Sequence, residues 1–232
     1  MAIVWQVVRQ EIDRANRGPL TVVDVGGGTG GFAVPLAAAG HDVTVVDASP
    51  DALAALVRRA AESGVGDRIH ALQGDADSFV DLVPPGTADL VLCHNVLEVV
   101  DSPTEAAAAI ASTLRPSGAA SVIVANRAAA VLARAMGGHL DAAHQMLDDP
   151  DGRAGDRDTL RRRFDIDSAT SLLSKAGLAV EEIHGVRVVA DLVPGAVLER
   201  DQEALTAFEL ATAARSPFRD VASQLHLLAR RP

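Results

Sequence analysis

Val22-Val23-Asp24-Val25-Gly26-Gly27-Gly28-Thr29-Gly30-Gly31 is an apolar, β-branched run that turns abruptly into glycine. Valines at that density favour a buried strand. Glycines placed where the strand must turn into a helix allow a tight bend and let backbone approach a ligand closely. The stretch is therefore a candidate cofactor loop. Gly26, Gly28 and Gly31 satisfy G-x-G-x-x-G, the dinucleotide fingerprint, so the glycines alone do not choose between cofactor classes.

Outward from this loop, strand-like runs recur at Leu20–Val25, Val43–Asp47, Ile69–Gln73, Ala88–Cys93 and Ala120–Ala125. Helix-like segments at Gly31–Ala39, Pro50–Ser63 and Pro103–Leu114 separate three of the gaps, with Ser49-Pro50 and Ser102-Pro103 as N-cap and first-turn pairs. This alternation predicts an α/β fold, a parallel sheet with helices on both faces. Met1–Asn16 reads as an amphipathic helix with Ile3, Val4, Val7, Val8 and Ile12 on its apolar side, expected against the sheet edge. Arg127–Met136 and Asp141–Leu147 read as helices of a small cap inserted over residues 127–164 within a single domain of residues 1–232. The pattern resumes with a helix at Asp167–Lys175 and a C-cap at Gly177, followed by strands at Leu178–His184 and Arg187–Ala190. A helix at Leu198–Ala214 and a strand at Gln224–Ala229 close the chain.

Of 232 residues 48% are hydrophobic, enough for a sizeable core and too many for a disordered chain. The lone cysteine, Cys93, excludes an intramolecular disulfide, and no leader or long apolar span is evident, so a reducing cytoplasm is expected and no membrane. Lys+Arg of 21 against Asp+Glu of 31 gives a net charge of −10, which disfavours polyanionic partners unless basic residues cluster. Arg161-Arg162-Arg163 beside Arg153 and Arg157 is such a cluster, but Asp151, Asp156, Asp158 and Asp165 interleave with it. His139, Asp141 and His144 are of metal-ligand type, yet their spacing fits no helical face, so no metal is expected.

Three acids at strand ends choose the cofactor. Asp24 precedes the glycines, where a carboxylate can accept from an ammonium but would repel a pyrophosphate. Asp47 ends the second strand and suits ribose hydroxyls. Asp75-Ala76 follows the third, where a carboxylate can accept from an adenine amine and a backbone N–H can donate to the ring. S-adenosylmethionine uses all three. The expected cofactor contacts are Asp24, Gly26, Gly27, Gly28, Gly30, Asp47, Ala48, Asp75, Ala76, His94 and Asn95.

Val22–Gly30, Val45–Asp47, Gly74–Ala76, Asp89–Leu97 and Leu114–Gly118 together resemble the class I, Rossmann-like S-adenosylmethionine-dependent methyltransferases. The resemblance implies seven strands, the last antiparallel, with methyl transfer at the carboxyl ends of the early strands. Cys93-His94-Asn95-Val96-Leu97-Glu98 then borders the substrate. It lacks the Asn/Asp-Pro-Pro-aromatic sequence of nucleobase amino methyltransferases. Gly138–Asp141, Gly185–Val188, Ser216–Arg219 and Leu225–Arg230 further resemble the bacterial tRNA carboxymethoxyuridine carboxyl methyltransferase group. A carboxylate acceptor is already ionised at neutral pH, so a cation to orient it suffices, and Arg187 is the expected one. His94 and Arg187 are the candidate catalytic residues.

The cofactor-carboxylate arginine implied by the resemblance has no counterpart, because the chain begins at Met1; a truncated start or a substitute group is expected. A small or medium-sized acceptor, methylated on oxygen, is the first reading and tRNA the second. A nicotinamide oxidoreductase is the rival enzyme class, against which stands the absence of any tyrosine for a Tyr-x-x-x-Lys pair. A catalytically inactive cofactor-binding partner protein is the non-enzymatic alternative. The oligomeric state leaves no sequence signal.

Overall fold

The computed structural model describes residues 1–232 except 77–78, 156–157, 194 and 196–199. Seven strands form one sheet: β1 (Thr21–Val25), β2 (Asp42–Asp47), β3 (Ile69–Gln73), β4 (Ala88–His94), β5 (Leu114–Ala125), β6 (Ala179–Val186) and β7 (Gln224–Arg230). Their spatial order is β3-β2-β1-β4-β5-β7-β6. The first five pair in parallel, and β7 runs antiparallel to both β5 and β6. The order reverses beside β1, so the crevice at the carboxyl ends of β1 and β4 is the switch point where such sheets take ligands.

Sheet faces are apolar because valine and leucine alternate onto both sides of strands buried from above and below. On one face α1 (Ala2–Ala15), α2 (Ala33–Ala38) and α3 (Pro50–Glu62) bury Val4, Val8, Leu36 and Leu56 against Val22, Leu90, Leu92 and Ile123. On the other, α4 (Pro103–Thr113) and α7 (Ile166–Lys175) cover Val23, Val91, Cys93 and Val122. Ser49 and Ser102 each accept from the backbone N–H three residues on, with proline in the first turn, as their sequences predict.

Helix α1 packs toward the β6 edge of the sheet: it lies against β5 and β6, with Val4, Val7 and Val8 buried in the same cluster as Leu90, Ile123, Val186 and Leu228, and Arg14 reaches Glu181 on β6.

Of the two strands expected at Leu178–His184 and Arg187–Ala190, the first is β6, which runs on to Val186, and the second is not a strand. Gly185 is not a break; a Cβ there would meet Ala222 Cβ at 2.7 Å and Arg219 Cα at 2.9 Å, so glycine permits a neighbouring segment to pass. Pairing stops at Arg187, whose φ is 60°. Beyond it the Glu209 carboxylate accepts from the N–H groups of Val188, Val189 and Ala190 at 2.8, 2.8 and 3.0 Å. That carboxylate, on α8 (Gln202–Thr212), replaces the ladder that a strand would need. The start expected for this helix, Leu198, lies outside the described residues.

Between β5 and α7 the chain makes an excursion through α5 (Arg127–Met136) and α6 (Leu140–Asp148). Asn126 and Phe164, bridged in parallel, mark its two ends. Arg127 N–H donates to Phe164 O at 2.8 Å and Phe164 N–H to Ala125 O at 2.9 Å.

Candidate functional site

A cleft of about 840 Å³ opens at the carboxyl ends of β1 to β4, lined by Gly26, Asp47, Ala48, Asp75, Ala76 and Asn95 among others. Its size suits a nucleoside-containing ligand. Val96, Val99 and Val100 supply an apolar wall, while Asp101, Glu105 and Arg161 stand at the rim.

The glycine loop is shaped by its neighbours. A Cβ on Gly26 would meet Val96 Cγ2 at 2.3 Å, and Gly26 φ is 68°. On Gly27 it would meet Asp24 Cγ at 2.6 Å; on Gly30, Leu56 Cδ1 at 2.3 Å. Gly26 N–H donates to Val46 O at 2.7 Å and Gly28 N–H to Asp47 Oδ2 at 2.9 Å, so the loop is tied to β2 rather than free. From the outer side, Arg59 donates to Thr29 O at 2.6 Å.

Asp24 lies beneath that loop, 3% exposed. Burial, and then the charge of Asp47, push its carboxyl up from 3.8 to about 7. A buried carboxylate raised in this way is relieved by a cation brought to it. Asp47 holds the loop through Oδ2 and Ser49 N–H through Oδ1, both at 2.9 Å, and as a carboxylate it has acceptor capacity left where it lines the cleft. Asp75 is exposed at the cleft wall. Asp47, Asp75 and Ala76 line the cleft, while Asp24 lies under the glycine loop and is not among the lining groups; carboxylates and a backbone N–H are the group types that the amine, hydroxyls and ring nitrogens of S-adenosylmethionine would need.

His94 stands apart. It ends β4, but its ring is not among the lining groups of the cleft. It points to the α1 face, where Phe32 stands edge-on at 4.7 Å and Trp5 stacks on Phe32 at 4.4 Å. Burial lowers its pKa from 6.5 to about 3, so the ring is neutral. Asn95, the next residue, has φ 59° and does line the cleft, its Oδ1 accepting from Gln224 Nε2. Arg187 lies on the same rim of the sheet but over β6, at its far edge; its guanidinium is paired with Asp191, which also accepts from Ser223 Oγ at 2.6 Å. The cation expected to orient a carboxylate thus already has a carboxylate.

The arginine cluster is likewise engaged. Arg161 pairs with Asp101, and Arg162 donates to Leu97 O at 2.9 Å and Val100 O at 2.6 Å. Arg163 forms a two-bond pair with Asp158 at 2.6 and 3.0 Å, side chains 11% and 2% exposed. Arg157 lies outside the described residues. Glu98 is 3% exposed, and burial raises it from 4.5 to about 7, partly offset by backbone N–H groups of Glu98 and Ala125 and by Arg162 and Arg163. Burial pushes the Cys93 thiol up, which makes it inert. Among the described residues no group of three or more His, Cys, Asp or Glu is placed to share a metal, and no helix is long and apolar enough to cross a membrane.

Comparison with known proteins agrees with this geometry. Residues 5–183 match the family model of a methyltransferase domain. The tRNA 5-carboxymethoxyuridine methyltransferase of Escherichia coli K12 is 30% identical over 100% of this chain and 87% of its own length. A ubiquinone biosynthesis O-methyltransferase of Xanthomonas euvesicatoria is 30% identical over 71% of this chain and 65% of its own. In fold, the structure of a methyltransferase from Mesorhizobium loti superposes with a TM-score of 0.65 at 22% identity, covering 92% of both chains. With a seven-stranded sheet whose switch point carries a glycine loop and three acids, this chain belongs to the Rossmann-like S-adenosylmethionine-dependent methyltransferases.

Proposed function

We propose that this methyltransferase methylates an oxygen of a small or medium-sized molecule, working in the cytoplasm. The convergence of Gly26, Asp47, Asp75 and Asn95 on one cleft supports it. When bound there, S-adenosylmethionine supplies an electrophilic methyl carbon on a sulfonium. The chain's own part is positional. Asp47 accepts from ribose hydroxyls while fastening the loop, Asp75 accepts from the adenine amine, and Ala76 N–H donates to the ring. Gly26, Gly27, Gly28 and Gly30 allow backbone to lie against the cofactor without a Cβ between. Asp24, beneath Gly27, takes the ammonium charge. Residues 127–164 act as a cap beside the cleft, clasped to the segment after β4 by Arg161 and Arg162.

A small acceptor comes before tRNA because RNA binding needs free cations along a track and exposed aromatic faces. Arg161, Arg162 and Arg163 are held by Asp101, backbone carbonyls and Asp158, and net charge is −10. The full-length likeness to a tRNA methyltransferase favours the second reading. Binding of bulk tRNA to the purified protein separates them. Binding weaker than about 10 μM at physiological salt is expected; submicromolar binding that is lost when Arg161, Arg162 and Arg163 become alanine overturns the order.

A further inference from the structure

A second cavity lies at the other end of the sheet, where β1, β4 and β5 begin and β7 finishes. It holds about 330 Å³ and is lined by Arg14 and Arg17 at and just after the end of α1, by Arg115 on β5 and by Arg230 on β7, with Glu11 and Asp89 among them. Strand β4, seven residues long, separates it from the cofactor cleft by roughly 20 Å. Its floor is apolar: Leu20 and Leu90, each 2% exposed, lie beside Pro116.

The acids present do not saturate these guanidinium groups. Asp89 Oδ1 serves both Arg17 and Arg115, the latter at 2.9 Å, and Asp89 Oδ2 accepts from Thr21 N–H at 2.9 Å. Arg230 donates to Glu11 at 2.7 Å, to Glu181 at 2.8 and 2.9 Å and to Ser117 O at 3.0 Å, while Arg14 shares Glu181 at 3.2 Å. Three carboxylates thus face four arginines, each with five N–H donors. Arg161 to Arg163 differ, since each has its own carboxylate or pair of carbonyls. On a chain of net charge −10, cations gathered in excess around a concave apolar floor repel one another, and an anion brought between them relieves that repulsion.

We propose that this cavity binds a small organic phosphate, of the size of a sugar phosphate, at a site separate from the methyl-transfer cleft. Guanidinium forks match oxyanions. They enter from three places, the end of α1, β5 and β7, and a phosphate monoester offers three terminal oxygens where a carboxylate offers two in one plane. A volume with room for roughly ten waters exceeds what inorganic phosphate fills and falls at the small end of ligand pockets. Leu20, Leu90 and Pro116 are then left to face the organic body. Because Arg14 and Arg17 stand on or beside α1 while Arg115 and Arg230 stand on the sheet, the bound phosphate ties the end of that helix to β5 and β7.

Calorimetry on the full chain at physiological ionic strength, with ribose 5-phosphate as the probe, tests this. One site with a Kd of about 1 mM or tighter is expected, the same with and without S-adenosylmethionine. Succinate, a dianion without a tetrahedral head, should bind about tenfold more weakly. Arg17→Gln, at a side chain 45% exposed, should weaken ribose 5-phosphate about tenfold and leave S-adenosylmethionine affinity as in the wild type, which also reports that the variant is folded. Arg115→Gln should do the same. In thermal unfolding, ribose 5-phosphate should raise the Tm of the wild type and leave that of both variants unchanged. Wild-type binding weaker than about 1 mM, affinity equal to the wild type in both variants, or competition by S-adenosylmethionine overturns the site. Succinate binding as tightly as ribose 5-phosphate overturns the phosphate assignment.

Discussion

Gly28 donates its backbone N–H to Asp47 Oδ2 at 2.9 Å, which fastens the loop after β1 to the end of β2. The carboxylate that faces the cleft is therefore also the one that shapes the loop. Asp47→Ala removes both effects, and a charge-assisted contact of this kind is the stronger sort. We expect S-adenosylmethionine affinity to fall by roughly 2–3 kcal/mol in calorimetry. Affinity unchanged in a folded variant would remove Asp47 from the site.

Gly27→Ala places a Cβ 2.6 Å from Asp24 Cγ and 2.9 Å from Val45 Cγ1, both in the core under the loop. Gly31 has open space and no positive φ. Denaturant unfolding should show Gly27→Ala destabilised by about 1–3 kcal/mol and Gly31→Ala close to neutral. Equal stabilities would mean that the loop does not pack on Asp24.

The raised carboxyl of Asp24 sets a pH dependence. Its folded pKa of about 7 lies above the ordinary 3.8, so the native state holds more protons throughout that window. Stability from this group is greatest at the acid end, falls as pH rises from about 4 to about 7, and is level above. Glu98, raised from 4.5 to about 7, adds a slope of the same sign. Thermal unfolding across this range should show Asp24→Asn with a shallower slope and higher stability than the wild type at about pH 8. The same variant should bind S-adenosylmethionine more weakly, since the ammonium loses its charge partner; equal binding would count against that contact.

Arg163 and Asp158 form a buried ion pair, which holds the Asp158 carboxyl well below the usual range. Arg163→Ala leaves that carboxylate buried and unpaired, and a loss of roughly 3–5 kcal/mol follows. Replacing both with apolar residues should recover most of it. If thermal denaturation shows the single and double variants alike, the pair does not fasten the excursion between β5 and α7.

Much of this was legible in the sequence, wherever the signal was local. Ser49-Pro50 and Ser102-Pro103 announced their helices, and runs of valine, isoleucine and leucine announced β1 to β5. Gly26, Asp47 and Asp75, singled out at three strand ends, line one cleft because each needs only its own strand to be in place, while Asp24 lies beneath the loop. What the sequence hid depends on distant partners. Arg187 leaves the strand pattern because Glu209, about 20 residues on, takes three backbone N–H groups. Gly185 lies between the two expected strands, where its missing Cβ makes room for Arg219 and Ala222. His94 showed no partner because Ser121 is 27 residues away and His226 a further 105, joined only by sheet order.

The central claim is that the cleft at the ends of β1 to β4 holds S-adenosylmethionine with Asp75 against its adenine. Calorimetry of the wild type and Asp75→Ala with S-adenosylmethionine, and of the wild type with NAD, tests it most directly. The account predicts one site for S-adenosylmethionine, a loss of roughly 1–2 kcal/mol in the variant from one missing hydrogen bond, and no heat with NAD. Equal affinity in a folded Asp75→Ala variant, or binding of NAD in place of S-adenosylmethionine, would contradict it.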